Sequence, residues 1–317
     1  MTEPTSGRIA TLTFSPALDV STETDTVVPT RKLRCSELVE HPGGGGVNVA
    51  RVATRLGASA RAVVPLGGRT GSRVAELLQD ELIEIEAIET VAPTRQSFSV
   101  TGRDSGDQYR FVMPAPVLSP GELDALIEAT KRACAHADCL VVSGRTPPET
   151  PDDIFDTLVE MAGATPVIVD TSGPALQQAL RSGATLVKPS ASELGSIVGR
   201  ELLTESEILD GVRSVAADSN VGHLVASIGS GGAFAVDAVG TTHRYRAPSV
   251  KVRSAIGAGD SMIAGIAVAL CRGDDPIAAI AAGIAAGTAA VLTDGTDLCH
   301  ATDAERLRPL VVVEPVD

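Results

Sequence analysis

Residues 8–14 (RIATLTF) alternate apolar and polar side chains, the period-2 pattern of a strand. Residues 62–66, 139–143 and 166–170 are short and mostly apolar, which predicts strands buried on both faces. Residues 185–188, 223–228, 233–237 and 242–246 add further strand-like segments. Helical spacing fills the gaps between them. Residues 47–56 read as a helix stopped by Gly57, and residues 71–82 as a second. Ser119-Pro120-Gly121-Glu122 is a capping box with proline at the first helical position, opening a helix to about residue 136. Thr150-Pro151 opens the next, another helix follows Asp170, and Thr204-Glu205-Ser206-Glu207 is a second capping box. Residues 262–270 and 276–292 are apolar, alanine-rich helices. Strand–helix alternation of this kind predicts an α/β fold with a mostly parallel sheet and helices on both faces.

Two stretches break the alternation. Residues 18–35 are polar, β-branched and acidic with no helical period, which predicts exposed strands. Residues 98–101 and 108–112 flank Asp104-Ser105-Gly106-Asp107, a hairpin with turn chemistry at its centre. Together they predict one small accessory sheet.

Composition narrows the class. The chain has 317 residues, enough for one large α/β domain with an appendage or for two domains; with no repeat or flexible linker it reads as one domain over 1–317 with that sheet as the appendage. Hydrophobic residues are 44% but aromatics only 2%, so the core must be built from Ala, Val, Leu and Ile. No apolar run is long and unbroken enough to span a bilayer, and the N-terminus shows no secretory pattern. Five scattered cysteines without a Cys-x-x-Cys pair predict free thiols in a reducing cytoplasm. A net charge of −14 disfavours nucleic acid and anionic membranes as partners.

The strongest chemical signal is Gly257-Ala258-Gly259-Asp260-Ser261, directly before an apolar helix. Small residues in a first helical turn leave backbone N–H groups open to an anion. Asp260 then stands where a carboxylate takes a proton from an attacking hydroxyl; the alternative is a plain helix cap. Gly43-Gly44-Gly45-Gly46-Val47-Asn48 fails the dinucleotide fingerprint, having Asn48 where a third glycine is needed. With Asp19 it offers amide and carboxylate groups suited to sugar hydroxyls, or else the glycines satisfy a tight turn. Lys32, Arg34, Arg95 and Arg110 cluster in the accessory segments of an acidic chain, as an anion site or as a solvated basic face. Ser227-Ile228-Gly229-Ser230-Gly231-Gly232 follows a strand and suits the underside of a nucleotide. Lys188-Pro189-Ser190-Ala191-Ser192-Glu193 ends a strand and opens a helix, where Glu193 suits either a water-bound metal or the helix dipole. No P-loop pattern is present.

Taken in order, these residues resemble the PfkB-type carbohydrate kinases of the ribokinase superfamily, over about residues 11–299. Within that family they are most similar to the minor-isozyme type of bacterial 6-phosphofructokinase. The carrying motifs are Thr11-Leu-Thr-Phe-Ser-Pro-Ala-Leu-Asp19, Lys32-Leu-Arg-Cys35, Pro42-Gly-Gly-Gly-Gly-Val-Asn-Val-Ala-Arg51, Thr94-Arg95-Gln96, Gln108-Tyr-Arg-Phe-Val-Met-Pro114 and Ile256-Gly-Ala-Gly-Asp-Ser-Met262. The resemblance implies a Rossmann-like α/β/α sandwich with a small β-sheet lid, formed by about 18–40 and 95–113, that makes a homodimer. It implies an ATP- and magnesium-dependent kinase acting on a phosphorylated ketohexose. Fructose 6-phosphate leads; tagatose 6-phosphate and fructose 1-phosphate are the rivals in kind, and a non-catalytic sugar-phosphate sensor is the rival of another class.

The resemblance also assigns roles. Asp260 is the base, and the amides of Gly257, Ala258 and Gly259 form the anion hole. Asp19, Gly44, Gly45 and Asn48 bind the sugar, and Arg95 with Lys32 and Arg34 holds its phosphate. Lys188, Ser190, Ser227, Gly229, Gly232, Ile284 and Thr288 line the ATP site. Glu193 positions Mg2+ through water. Ser254, Ile256, Ala290, Thr293 and Gly295 match a loop for a monovalent cation such as K+. Two positions depart from the family pattern: Ser190 stands where Asn opens the Asn-x-x-Glu motif, and Arg145 where serine follows Ser143-Gly144.

Overall fold

The structure is a computed structural model that describes residues 7–293 and 295–317. The first part of the chain runs β1 (Arg8–Leu12), β2 (Ala17–Thr24), β3 (Val39–Gly43), α1 (Gly45–Arg55), β4 (Ser59–Leu66), α2 (Gly68–Asp80), β5 (Glu84–Glu89), β6 (Arg95–Gly102) and β7 (Gln108–Val112). Then come α3 (Pro120–Cys134), β8 (Cys139–Ser143), α4 (Ile154–Ala162), β9 (Val167–Asp170), α5 (Pro174–Ala179), β10 (Leu186–Val187), α6 (Ala191–Val198) and α7 (Glu205–Ala217). The last third is β11 (His223–Ser227), β12 (Gly232–Asp237), β13 (Thr242–Arg246), α8 (Ala258–Cys271), α9 (Pro276–Ala290), α10 (Ala301–Leu307) and β14 (Val312–Val316).

Strands with apolar side chains on both faces need a cover on both faces, and this sets the layers. Along β1, Ile9 joins one core and its neighbours Ala10 and Leu12 the other. The first core packs the sheet against α1, α2, α8 and α9; the second packs it against α3, α4, α5 and α7. The sheet order is β14-β13-β12-β11-β10-β9-β8-β1-β4-β5. Pairing is parallel from β11 through β5 and antiparallel along β11-β12-β13-β14. A second sheet, β3-β2-β6-β7, stands apart, with the 98–101 and 108–112 segments paired as a hairpin.

The elements differ from expectation in a few places. β2 is largely buried rather than exposed, because it runs beside β6 with one side turned to the protein. The strand-like reading of 25–35 fails: no strand forms there, and β3 instead supplies the sheet's edge. α4 starts at Ile154, three residues beyond Pro151, with Asp153 at its N-cap. β3, β5, β14 and α10 carry too short or too polar a pattern to stand out. No helix among the described residues is long and apolar enough to cross a membrane.

Candidate active site

The parallel strands β9 and β10 end where α8 begins, which is the ligand-binding end of such sheets. Gly257 is the N-cap of α8 in the left-handed conformation, φ 72°. A Cβ there would also collide with Leu298, so only glycine fits. No side chain caps this helix. Its first-turn amides, at Ala258 and Gly259, lie against a cavity.

Asp260 sits in that first turn, partly accessible from the cleft and enclosed by protein elsewhere. Its Oδ2 accepts a 2.8 Å hydrogen bond from Asn48 Nδ2. Burial, reinforced by the charge of Asp170, pushes its pKa up to about 6, against the pull of Asn48 and Lys188. A carboxylate so poised is ionised at neutral pH and still basic enough to accept a proton.

Beside it lies a feature absent from the sequence reading. Lys188 Nζ, almost fully buried, stands 3.1 Å from Asp170 Oδ1 at the end of β9. Burial raises the pKa of Asp170 even with Lys188 beside it, while Asp170 and then Glu193 and Asp260 hold Lys188 in its charged form against burial. A Cβ on Gly259 would lie 3.7 Å from this Nζ, so the lysine reaches the helix N-terminus. The signal for Asp170 was an acid closing the 166–170 run, read there only as a strand end.

Two cavities meet at Gly259, Ser227 and Gly229. One, of ≈ 480 Å³, is mostly apolar, with Gly232, Met262, Ile284 and Thr288 in its walls. The other, of ≈ 590 Å³, is lined by Asp170, Lys188, Ser190 and Glu193. Ser190 caps α6 in a full capping box: its Oγ accepts from the Glu193 N–H at 3.2 Å, and its N–H and Oγ donate to Glu193 Oε2 at 2.7 and 2.8 Å. One oxygen of Glu193 is therefore occupied locally.

On the other side of Asp260 is the turn from β3 into α1. A Cβ on Gly43 would strike the Asp19 carboxylate, and one on Gly45 would strike Ser143 Oγ, so the glycines let three segments converge. Burial raises the pKa of Asp19, opposed by Arg110, a hydrogen bond from Ser97, Arg95 and Arg51. Arg95 donates to the Met113 and Ser15 carbonyls at 3.1 and 3.2 Å, and its Nε is buried without a partner. Lys32 and Arg34 are not drawn in: they are exposed between β2 and β3, and their side chains make no hydrogen bond or ion pair with described residues.

The residues of the candidate cation loop fall into two hydrogen-bonded groups, Ser254 with Ile256 and Gly295, and Thr293 with Ala290. Ser254 Oγ donates to the Gly295 carbonyl at 2.7 Å, Ile256 N–H donates to Ser254 Oγ at 3.3 Å, and Thr293 Oγ1 donates to the Ala290 carbonyl at 2.8 Å.

An apolar cleft and a polar cleft meeting at an uncapped helix N-terminus, on an α/β sandwich with a small separate sheet, are the arrangement of a carbohydrate kinase of the ribokinase-like fold, and the chain's relatives are of that class. The chain belongs to the pfkB family of carbohydrate kinases, whose sequence profile matches residues 17–303. It is 40% identical to ATP-dependent 6-phosphofructokinase isozyme 2 of Mycobacterium tuberculosis, over all of this chain and 95% of that one. It is 38% identical to the isozyme 2 of Escherichia coli, over 95% and 97% of the two chains. The crystal structure of phosphofructokinase-2 from Escherichia coli in complex with substrates and products superposes with a TM-score of 0.86 at 37% identity, covering 96% of this chain and 99% of that one. That enzyme is also known in complex with potassium, with fructose 6-phosphate, and as a tetrameric inhibited form.

Proposed function

We propose that the protein transfers the γ-phosphoryl group of ATP to fructose 6-phosphate, giving fructose 1,6-bisphosphate and ADP. The observation that carries this is Asp260: a carboxylate with a pKa of about 6, oriented by Asn48, in the first turn of an uncapped helix. The sugar's hydroxyl gives its proton to Asp260, and its oxygen bonds to the γ-phosphorus. The bond from that phosphorus to the β–γ bridging oxygen breaks, and its electron pair leaves with ADP. The amides of Gly257, Ala258 and Gly259 stabilise the charge on the transferring group. Asp19, Gly44, Gly45 and Asn48 hold the sugar, and Arg95 holds its phosphate.

ATP lies along the joined cavities, its base against Gly232, Ile284 and Thr288 and its phosphates toward Ser227, Gly229 and Lys188. Magnesium fits the polar end as a passenger of those phosphates. Lys188 senses Asp170, Glu193 and Asp260 together, so negative charge predominates there. Among the described residues no three His, Cys, Asp or Glu side chains approach closely enough to hold a metal alone. When bound, the ion would offset phosphate charge, and Glu193 would be the residue to hold it, through its hydration shell. The carbonyls around Ser254, Ile256, Ala290, Thr293 and Gly295 suit a monovalent cation such as K+, and the relative's potassium complex supports this.

The small sheet acts as a lid and as a homodimer interface. Tyr109 and Phe111 expose 41% and 53% of their surface on it, and so thin a sheet cannot bury both faces alone. The relative's inhibited form is tetrameric, which supports self-association in general. Free thiols throughout suit a reducing cytoplasm.

The deciding experiment is a coupled ADP-release assay with fructose 6-phosphate, tagatose 6-phosphate and fructose 1-phosphate. The highest kcat/KM with fructose 6-phosphate is expected. No turnover with any of them would hand the site to the sensor reading.

A further inference from the structure

Arg145 is an arginine without a partner. It is exposed on the loop leaving β8 and makes no hydrogen bond or ion pair with any described residue. The loop is not free to wander. Gly144 N–H donates to the Asp170 carbonyl at 2.9 Å, and Ser143 Oγ abuts Gly45 so closely that a side chain there would not fit. Arg145 therefore emerges at the rim where the end of β8 meets the turn that faces the sugar.

Two more guanidiniums face the same place. Arg95 and Ser99 lie on one face of β6, and Ser99 pairs with Arg110 of β7, so Arg95 and Arg110 share the face that bears Asp19 and Ser97. Arg110 likewise makes no hydrogen bond or ion pair with a described residue. Burial first, then the charges of Arg145 and Arg110, make Arg95 harder to keep charged, with Asp19 opposing. Arg145 is thus close enough for its charge to be felt within the cluster. Arg95 and Arg110 bear on Asp19 and Arg145 bears on Arg95, while Arg51, which also bears on Asp19, is paired with Glu81. In a chain whose net charge is −14 the three arginines exceed Asp19 by two positive charges, and a sugar phosphate above its second pKa of about 6 carries about two negative ones.

We infer that Arg145 is a specificity-determining residue: with Arg95 and Arg110 it closes a three-arginine cradle for the phosphate already on the sugar, so that the acceptor must carry a dianionic phosphate. This rests on the kinase reading above. It goes further by making the loop after β8, and not only the small sheet, a source of phosphate recognition.

The test compares wild type with Arg145→Ser and Arg145→Lys, using fructose 6-phosphate and unphosphorylated fructose as acceptors. Losing one charge-assisted contact should raise KM for fructose 6-phosphate about 10- to 100-fold. KM for ATP and kcat/KM for plain fructose should stay within about twofold, and Arg145→Lys should recover part of the loss. Arg145 is exposed, so the melting temperature should not move. An unchanged KM for fructose 6-phosphate in Arg145→Ser overturns the inference and leaves the kinase reading standing. If wild type itself releases no ADP with any ketohexose phosphate, the kinase reading fails and calorimetry decides the inference alone: weaker binding of fructose 6-phosphate to Arg145→Ser upholds the cradle, and equal binding overturns it.

Discussion

Replacing Asp260 with asparagine should make the protein inactive and more stable at the same time. The native carboxylate is held in a place that disfavours its charge, with a pKa raised from 3.8 to about 6, chiefly by burial and then by Asp170. A group whose pKa is raised on folding favours the folded state only while protonated. The folded protein therefore carries no cost from Asp260 below pH ~4, a growing cost up to pH ~6, and the full cost above it. At 1.36 kcal/mol per pKa unit that cost is about 3 kcal/mol, and partial access to the cleft lowers it to about 1–3 kcal/mol. Asparagine is nearly isosteric, stays neutral, and keeps an oxygen to accept from Asn48. The assay is a ligand-free thermal melt of both proteins at pH 8 and at pH 4.5, paired with ADP release at pH 8. At pH 8 the variant should melt about 2–6 °C higher, at roughly 2 °C per kcal/mol for a domain of this size. The gap should shrink to about a third of that at pH 4.5. Turnover should fall by roughly 10²–10⁴ while ATP still binds. A variant no more stable than wild type at pH 8, or a gap independent of pH, would refute the burial of charge. Near-normal turnover would remove Asp260 from the chemistry.

Three further outcomes follow from the same geometry. Arg95→Ala should raise KM for the sugar phosphate by about tenfold or more and KM for ATP little, since its guanidinium lies on the Asp19 side of the site; equal changes in both would make it a purely structural cation holding Ser15 and Met113. Ser190→Asn should lower KM for magnesium-ATP by about 2- to 10-fold, the net worth of one hydrogen bond, because the longer asparagine amide reaches further toward phosphate or metal-bound water than the serine hydroxyl; loss of activity would mean the pocket is built around serine. Light scattering at micromolar protein should give at least a dimer's mass, and a monomer's mass would refute the role given to the exposed face of the small sheet.

Much of the fold was legible because its core strands bury both faces, which forces unbroken apolar runs such as 139–143 and 166–170. The missed strands lie at edges. β5 and β14 close the main sheet and β3 the small one, where half the residues meet water and the hydrophobic signal thins. The 25–35 segment misled for a related reason: β-branched residues favour extended backbone, but no neighbouring strand is there to pair with them. The turns that carry Asn48 and Asp260 were legible because their glycines answer local backbone demands, Gly44 and Gly257 both having positive φ. Asp170 was not, since its partner Lys188 is on a different strand and only the parallel pairing of β9 with β10 brings them together. Ser190 read as a departure from a metal motif, yet its structural work is a capping box, the same device recognised at Ser119 and Thr204.

The two ends of the site solve the same electrostatic problem in opposite ways. An acidic chain must receive two anions side by side, and a uniform field would repel both. Where we propose the sugar phosphate binds, Arg95 and Arg110 face Asp19 and Arg145 adds its charge beside Arg95, so the proposed cradle supplies the positive charge from the protein itself. Where we propose the nucleotide binds, Lys188 faces Asp170, Glu193 and Asp260, which is the ground for proposing that the polyphosphate arrives with a divalent cation. Asp260 stands between the two, its basicity raised first by burial, then by Asp170 on one side and more weakly by Asp19 on the other, against the pull of Asn48 and Lys188. Burial with Asp170 beside it is what keeps the base able to take a proton at neutral pH.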